Sequence, residues 1–186
     1  FATPAPHARR SGAGPGLFAP GPGAAPARRS RGPGPRPGTR SRPRHLLVKP
    51  TVGNLVLWRA LYFAGDSVWV DAVRVGASGR IYEGGRRALF SPQRDLAWAA
   101  DNTRSHRDAA RFVAFSRGYA VLYPGSAQRL GDVRYAMLPT STEPLWGIEF
   151  DPNAADAAPR WITSRALTPA IRRQFFAMLL GRDPGE

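Results

Sequence analysis

Two acidic side chains near the end of the chain have the spacing of a metal-binding or catalytic pair. Glu149 and Asp151 lie two residues apart in a segment whose apolar residues alternate with them, as in a β-strand. Two residues of rise would place both carboxylates on one strand face, about 7 Å apart. Asp132 or Glu143 could join them from neighbouring strands. Such a pair can bind a divalent metal or act as general acid and base, although a solvated strand face is the commoner outcome.

Other residues that bind metals or act as nucleophiles are absent or far apart. The chain has no Cys, which excludes disulfides and thiolate metal sites. Its three histidines, His7, His45 and His106, are widely spaced, and we expect His106 to lie exposed at the start of a helix. The Gly-rich stretch GRIYEGGRR lacks the spacing of a phosphate-binding loop, and neither a Gly-x-Ser-x-Gly elbow nor a His-Glu-x-x-His motif occurs. We therefore predict no metal site in this chain.

The first 44 residues are predicted to be a disordered tail. Residues 1–45 contain ten Pro, eight Gly and nine Arg but no acidic residue, and they show no repeat. So few apolar residues cannot offset the entropy lost on ordering the segment. The arginines could bind nucleic acid or anionic lipid weakly through phosphate charge. A solvated linker is the alternative, because aromatic residues that could stack on bases are not interleaved with them.

Residues 45–182 are predicted to form one α+β domain, followed by a short C-terminal tail at 183–186. Runs of β-prone residues between Gly- and Pro-rich turns predict a mostly antiparallel sheet of about six strands. The predicted strands are 55–63, 68–75, 119–123, 130–138, 145–151 and 160–165. The Gly-rich segment 76–85 is predicted to be a loop or a short strand.

Two helices are predicted to pack on this sheet. The first begins near Ser105 and ends before Gly118. The second has Thr168 as its cap, Pro169 in its first position and Gly181 after its end. Its apolar stripe faces the sheet and consists of Ile171, Phe175, Met178 and Leu179. Two further apolar residues widen the stripe and could form a partner surface, namely Phe176 and Leu180.

The segment HLLVKPTVGNLVLWRALYFAGDSVWVDAVRV, residues 45–75, carries motifs with a distinctive order. They are Leu-Leu-Val-x-Pro-Thr, then an Asn, then Leu-Trp-Arg; the matching positions are Leu46, Leu47, Val48, Pro50, Thr51, Asn54, Leu57, Trp58 and Arg59. The later stretches VDAVRVG, GDVRYAMLP and PLWGIEFDP belong to the same pattern. Over roughly residues 45–182 the chain resembles the soluble C-terminal region of a bacterial family described as inner-membrane-associated metal-dependent hydrolases.

The resemblance implies a parent protein with a membrane half. In that family the metal chemistry is attributed to His and Asp residues on N-terminal membrane helices, so a divalent metal would be bound there. This chain has no run of about 18 apolar residues, and no metal ligand can be carried onto it. The resemblance therefore implies a fragment associated with the inner membrane through its parent, with the membrane half as its partner. The start at Phe1 rather than Met also indicates a fragment or a processed product.

The family-like residues are interpreted as structural rather than catalytic. They are Pro50, Asn54, Trp58, Arg59 and Asp71. We expect Arg59 and Asp71 to form a cross-strand ion pair. We expect Trp58 to be buried against the C-terminal helix or Trp146, and Trp98 to lie in a loop.

Three functions stay open at this point. The first is a soluble accessory domain of a membrane-bound hydrolase, without a catalytic site of its own. The second is a basic binding module for nucleic acid or anionic lipid. The third is a small metal-assisted hydrolase that uses Glu149 and Asp151.

Overall fold

The computed structural model of the chain describes residues 44–76 and 79–185, without the side chain of Arg44. Within them the chain forms eight strands and three helices. The strands are β1 (Arg44–Pro50), β2 (Leu57–Ala64), β3 (Ser67–Arg74), β4 (Arg80–Ala88), β5 (Ala120–Leu122), β6 (Arg129–Asp132), β7 (Trp146–Glu149) and β8 (Arg160–Thr163). The helices are α1 (Pro92–Asp95), α2 (Arg104–Phe115) and α3 (Pro169–Leu179). The predicted tail, except for Arg44, lies outside the described residues.

The strands form two four-stranded antiparallel sheets, each in sequence order. The first sheet is β1-β2-β3-β4 and the second is β5-β6-β7-β8. The α+β class and the antiparallel pairing are thus confirmed. The single sheet of about six strands with two helices is wrong, because α1 and α2 separate β4 from β5 and the two sets of strands pair only among themselves.

The Gly-rich segment, predicted to be a loop or a short strand, lies at the start of strand β4, which has nine residues. Strand β4 pairs with β3 along most of its length, with a register shift between Trp69 and Asp71. A Cβ atom at Gly84 would collide with the carbonyl oxygens of Val70 and Thr140. Glycine is therefore needed there for close approach of the backbones, and tertiary pairing overrides its weak strand propensity.

Three apolar clusters hold the elements together. One joins the two sheets and consists of Leu61, Val68, Val70, Tyr119, Val121 and Val133. A second lies between α2 and the second sheet and includes Ala109, Phe112, Leu130, Ile148 and Phe150. The third packs α3 on the first sheet through Leu57, Ala72, Tyr82 and Met178.

Helix α3 begins and ends where the sequence predicts. The hydroxyl of Thr168 accepts a hydrogen bond from the backbone N–H of Ile171 at 3.2 Å, and Pro169 occupies the first position. Gly181 follows the end with φ of 81°, a conformation that favours glycine. Among residues 44–76 and 79–185, no helix has both the length and the apolar character needed to cross a membrane.

Strand β6 is shorter than predicted. It ends at Asp132, and the segment up to Pro139 leaves the sheet. Backbone carbonyls of this segment face the first sheet, where the Arg59 side chain binds them. The alternation that suggested a longer strand here therefore belongs to a loop that connects the two sheets.

Candidate functional site

The Glu149 carboxylate is held by two arginines. It lies on β7, and the register pairs it with Arg129 of β6 and with Arg160 of β8. Arg129 Nε donates to Oε1 at 2.6 Å, and Arg160 Nη2 donates to Oε2. These hydrogen bonds stabilise the ionised form and lower the pKa of Glu149 below its usual value. Both carboxylate oxygens are thus engaged within the second sheet.

Asp151 has a different environment from Glu149. Strand β7 ends at Glu149, and Asp151 begins the exposed turn that follows. Its Oδ1 accepts from the N–H of Asn153 at 2.9 Å, and its carbonyl accepts from Ala154 at 3.1 Å. The two carboxylates therefore have separate partners. Across the described ranges, no three His, Cys, Asp or Glu residues cluster in a way that could hold a metal ion.

The two acidic residues that could join this pair also have partners of their own. Asp132 is fully buried and binds Arg134 through both carboxylate oxygens, with the shortest contact at 2.6 Å. Glu143 accepts from the hydroxyl of Ser164 at 2.9 Å. Each carboxylate thus has its own hydrogen-bond partner, distinct from those of Glu149.

The family-like turn is held together by Asn54. Its Oδ1 accepts from the N–H groups of Val56 and Leu57, at 3.0 and 2.7 Å. Its Nδ2 donates to the hydroxyl of Thr51 at 2.7 Å, and that hydroxyl donates to the carbonyl of Leu57. Pro50 ends β1 just before this turn. These side-chain bonds fix the chain reversal between β1 and β2.

Arg59 connects the two sheets. Its side chain is buried, and its guanidinium donates to the carbonyls of Pro139 and Val133 at 2.7 Å each and to that of Leu138 at 3.2 Å. Burial lowers the pKa of Arg59 to about 9, while the charge of buried Asp132 opposes this shift. The guanidinium therefore remains charged at neutral pH and binds the loop between β6 and β7.

The predicted ion pair between Arg59 and Asp71 is wrong. The register places Arg59 opposite Ala72, and it places Asp71 opposite Ala60. The two charged side chains consequently point to opposite faces of the first sheet. The Asp71 carboxylate instead accepts from the N–H of Gly84 at 3.1 Å.

The position predicted for Trp58 is also wrong, whereas Trp98 lies in the loop between α1 and α2 as predicted. Trp58 is half-buried and belongs to none of the three clusters, and its indole N–H donates to the carbonyl of Leu55 at 2.8 Å. The neighbouring Leu57 points to the other sheet face and packs beneath α3. Trp98 packs against the cluster under α2, with its ring 6.4 Å from that of Phe150.

His106 is not the exposed residue that was expected. Only 10 % of its side chain is exposed. Its Nε2 lies 3.3 Å from the carbonyl oxygen of Leu96, and its Nδ1 lies 3.5 Å from a carboxylate oxygen of Asp101. The imidazole therefore packs between α2 and the segment before it.

A cluster of aromatic rings around Trp146 is the surface that the sequence did not reveal. The Trp146 surface comprises the rings of Phe112, Phe115, Tyr135, Trp146 and Trp161. The ring of Trp161 stacks on that of Trp146 with centroids 5.0 Å apart and planes at 16°. The rings of Phe112, Phe115 and Tyr135 lie within 5.9 Å of Trp146. Three members are exposed to solvent, with 65 % for Phe115, 59 % for Trp161 and 39 % for Tyr135.

Positive charges border this surface. The Lys49 ammonium lies 3.7 Å from the centroid of the Tyr135 ring, and the Arg134 guanidinium lies 5.6 Å from it. Arg111 of α2 lines a shallow groove of about 280 Å³ together with Phe115, Trp146 and Trp161. A sequence pattern could not show this arrangement, because its members come from β1, α2, β7, β8 and a loop.

Comparisons with known proteins are negative. The scan against models of protein families finds no matching model, and the searches of curated proteins and of solved structures find no match. The resemblance to a membrane-associated hydrolase family therefore rests on the quoted motifs alone.

Proposed function

We propose that this chain is a soluble accessory domain of a larger membrane-associated hydrolase, and that it has no catalytic site of its own. The main support for this proposal is that the family-like residues make hydrogen bonds that hold the fold together. Asn54 closes the turn between β1 and β2, and Arg59 binds three carbonyl oxygens between the sheets. Polar residues whose hydrogen-bonding groups are used to hold the fold are poorly suited to bind a reacting group.

The catalytic metal would belong to the membrane half of the parent protein, which is the proposed partner of this domain. The accessory domain would lie at the inner membrane, where it would position the substrate for the membrane half or control its entry. The third candidate, a carboxylate-metal hydrolase, has less support. Two arginines occupy the Glu149 carboxylate, and Asp151 binds its own turn.

Sequencing the mature transcript upstream of the Phe1 codon tests the accessory role. We expect an open frame that encodes several apolar segments of about 20 residues, with His and Asp residues within them. An in-frame start codon shortly before Phe1, with no such segment between, would contradict the proposal.

A basic binding module is the second candidate. The exposed rings of the Trp146 surface, with Lys49 and Arg111 at its border, favour it. Large exposed aromatic surfaces on small domains commonly mark binding sites.

A further inference from the structure

We propose that the Trp146 surface binds the unpaired bases of a single-stranded nucleic acid. The stacked tryptophans carry the argument. One face of the Trp161 ring lies on Trp146, while the side chain remains 59 % exposed at the end of the stack. A planar base can extend that stack. Base–aromatic stacking of this kind does not depend on the nucleotide sequence, because every base has a π face. This proposal is independent of the accessory role.

The second argument is the orientation of the rings around the stack. Phe115 meets Trp146 edge-on at 70°, and Tyr135 is tilted at 39°. These rings border the stack rather than cover it, so the groove between Phe115 and Trp161 stays open. A base that enters this groove would meet the ring of Trp161 beside that of Phe115, and both face and edge contacts between π systems are favourable.

Charge complementarity identifies the ligand as a polyanion. The Arg111 side chain is 77 % exposed although it donates to Asp108 at 2.9 Å, so its remaining donors can reach a phosphate. Lys49 lies on the Tyr135 side of the surface, while the guanidinium of neighbouring Arg134 is already paired with Asp132. Residues 46–186 hold 18 basic and 13 acidic residues, and the preceding 45 residues add nine arginines and no acid. The backbone of a strand lying across the rings would thus meet cations at both borders.

Flat rings favour a single strand over the other anionic ligands. In a duplex the base faces are already stacked and cannot reach a tryptophan ring. An anionic membrane is usually met by one amphipathic helix, whose Trp, Phe or Leu side chains protrude together from a single face. Here the aromatic rings that line the groove come from α2 and from two strands, and no single helix presents them all. Binding to lipid vesicles is therefore an outcome that the test must distinguish.

Fluorescence anisotropy with the full 186-residue chain and a labelled 15-nucleotide oligo(dT) tests the proposal. We expect Trp161→Ala to weaken binding by about 5- to 150-fold, the equivalent of losing one stacked base. For Trp161→Ala the dependence of affinity on salt concentration should equal that of the wild type, because this variant loses no phosphate contact. Arg111→Gln should instead reduce the slope of log affinity against log salt by about 0.7. A duplex of the same length should compete poorly.

Two controls make the outcome decisive. Phe176→Ala removes an aromatic ring that is 54 % exposed on α3, away from the surface, and should bind as the wild type does. Trp161→Phe keeps a stacking ring and should retain most of the affinity if folding is intact. Wild-type affinity in Trp161→Ala would overturn the proposal. So would tight binding to vesicles containing phosphatidylserine that Trp161→Ala abolishes, together with no binding of oligo(dT).

Discussion

Replacing Arg59 by Met is expected to lower the free energy of unfolding by about 3–5 kcal/mol, the usual effect of removing one partner from a buried charged network. The carbonyls of Val133, Leu138 and Pro139 would lose their donor. Buried Asp132 would lose the favourable charge of the guanidinium. A domain of this size has a total stability of about 5–15 kcal/mol, so the variant should be close to unfolding. Urea denaturation followed by circular dichroism measures the loss.

Two substitutions provide the controls for Arg59. Arg59→Lys keeps the charge but cannot reach three carbonyls with one planar group, so it should recover only part of the stability. Arg129→Met removes an exposed arginine that binds Glu149, and it should leave stability close to that of the wild type. If Arg59→Met lost no more stability than Arg129→Met, the bridge between the sheets would be unimportant.

Leu57→Ala is the second substitution with a large expected effect. Leu57 is fully buried and lies in the cluster that joins α3 to the first sheet through Met178. Removing a buried leucine side chain leaves a cavity and typically costs about 2–5 kcal/mol. We expect the denaturation midpoint to fall accordingly and the protease sensitivity of α3 to rise.

The adjacent Trp58 is a matched control for Leu57. Its larger side chain is only half-buried and lies outside the three clusters. Trp58→Ala should therefore destabilise the domain less than Leu57→Ala, although it removes more atoms. A greater loss of stability in Trp58→Ala than in Leu57→Ala would show that the hydrophobic core lies on the opposite face of the first sheet.

The elements predicted correctly from the sequence are those fixed by local interactions. Thr168, Pro169 and Gly181 define α3 through capping, a fixed φ and a positive φ, none of which needs a distant partner. The turn at residues 64–67 likewise defines the hairpin of β2 and β3. Of the alternating residues Trp146, Ile148 and Phe150, the last two lie in one buried cluster and Trp146 packs against it, as a strand pattern predicts.

The features that were missed depend on contacts between distant parts of the chain. The glycines of β4 weaken the strand pattern in the sequence. The need for glycine follows only from the fold, in which the backbone of Thr140 lies against Gly84. Arg59 is separated from its acceptors by more than 70 residues, so no local pattern shows that it binds backbone rather than Asp71. The Trp146 surface likewise combines rings from α2, β7 and β8.

Calorimetric titration of the chain with Zn²⁺, and separately with Mn²⁺, tests most directly the claim that this domain lacks a catalytic centre of its own. Glu149 is bound by two arginines and Asp151 by its own turn, so a metal would have to displace both sets of partners. We predict no stoichiometric binding at submicromolar metal concentrations. Stoichiometric submicromolar binding that Glu149→Gln abolishes would contradict the account and place a metal site on the second sheet.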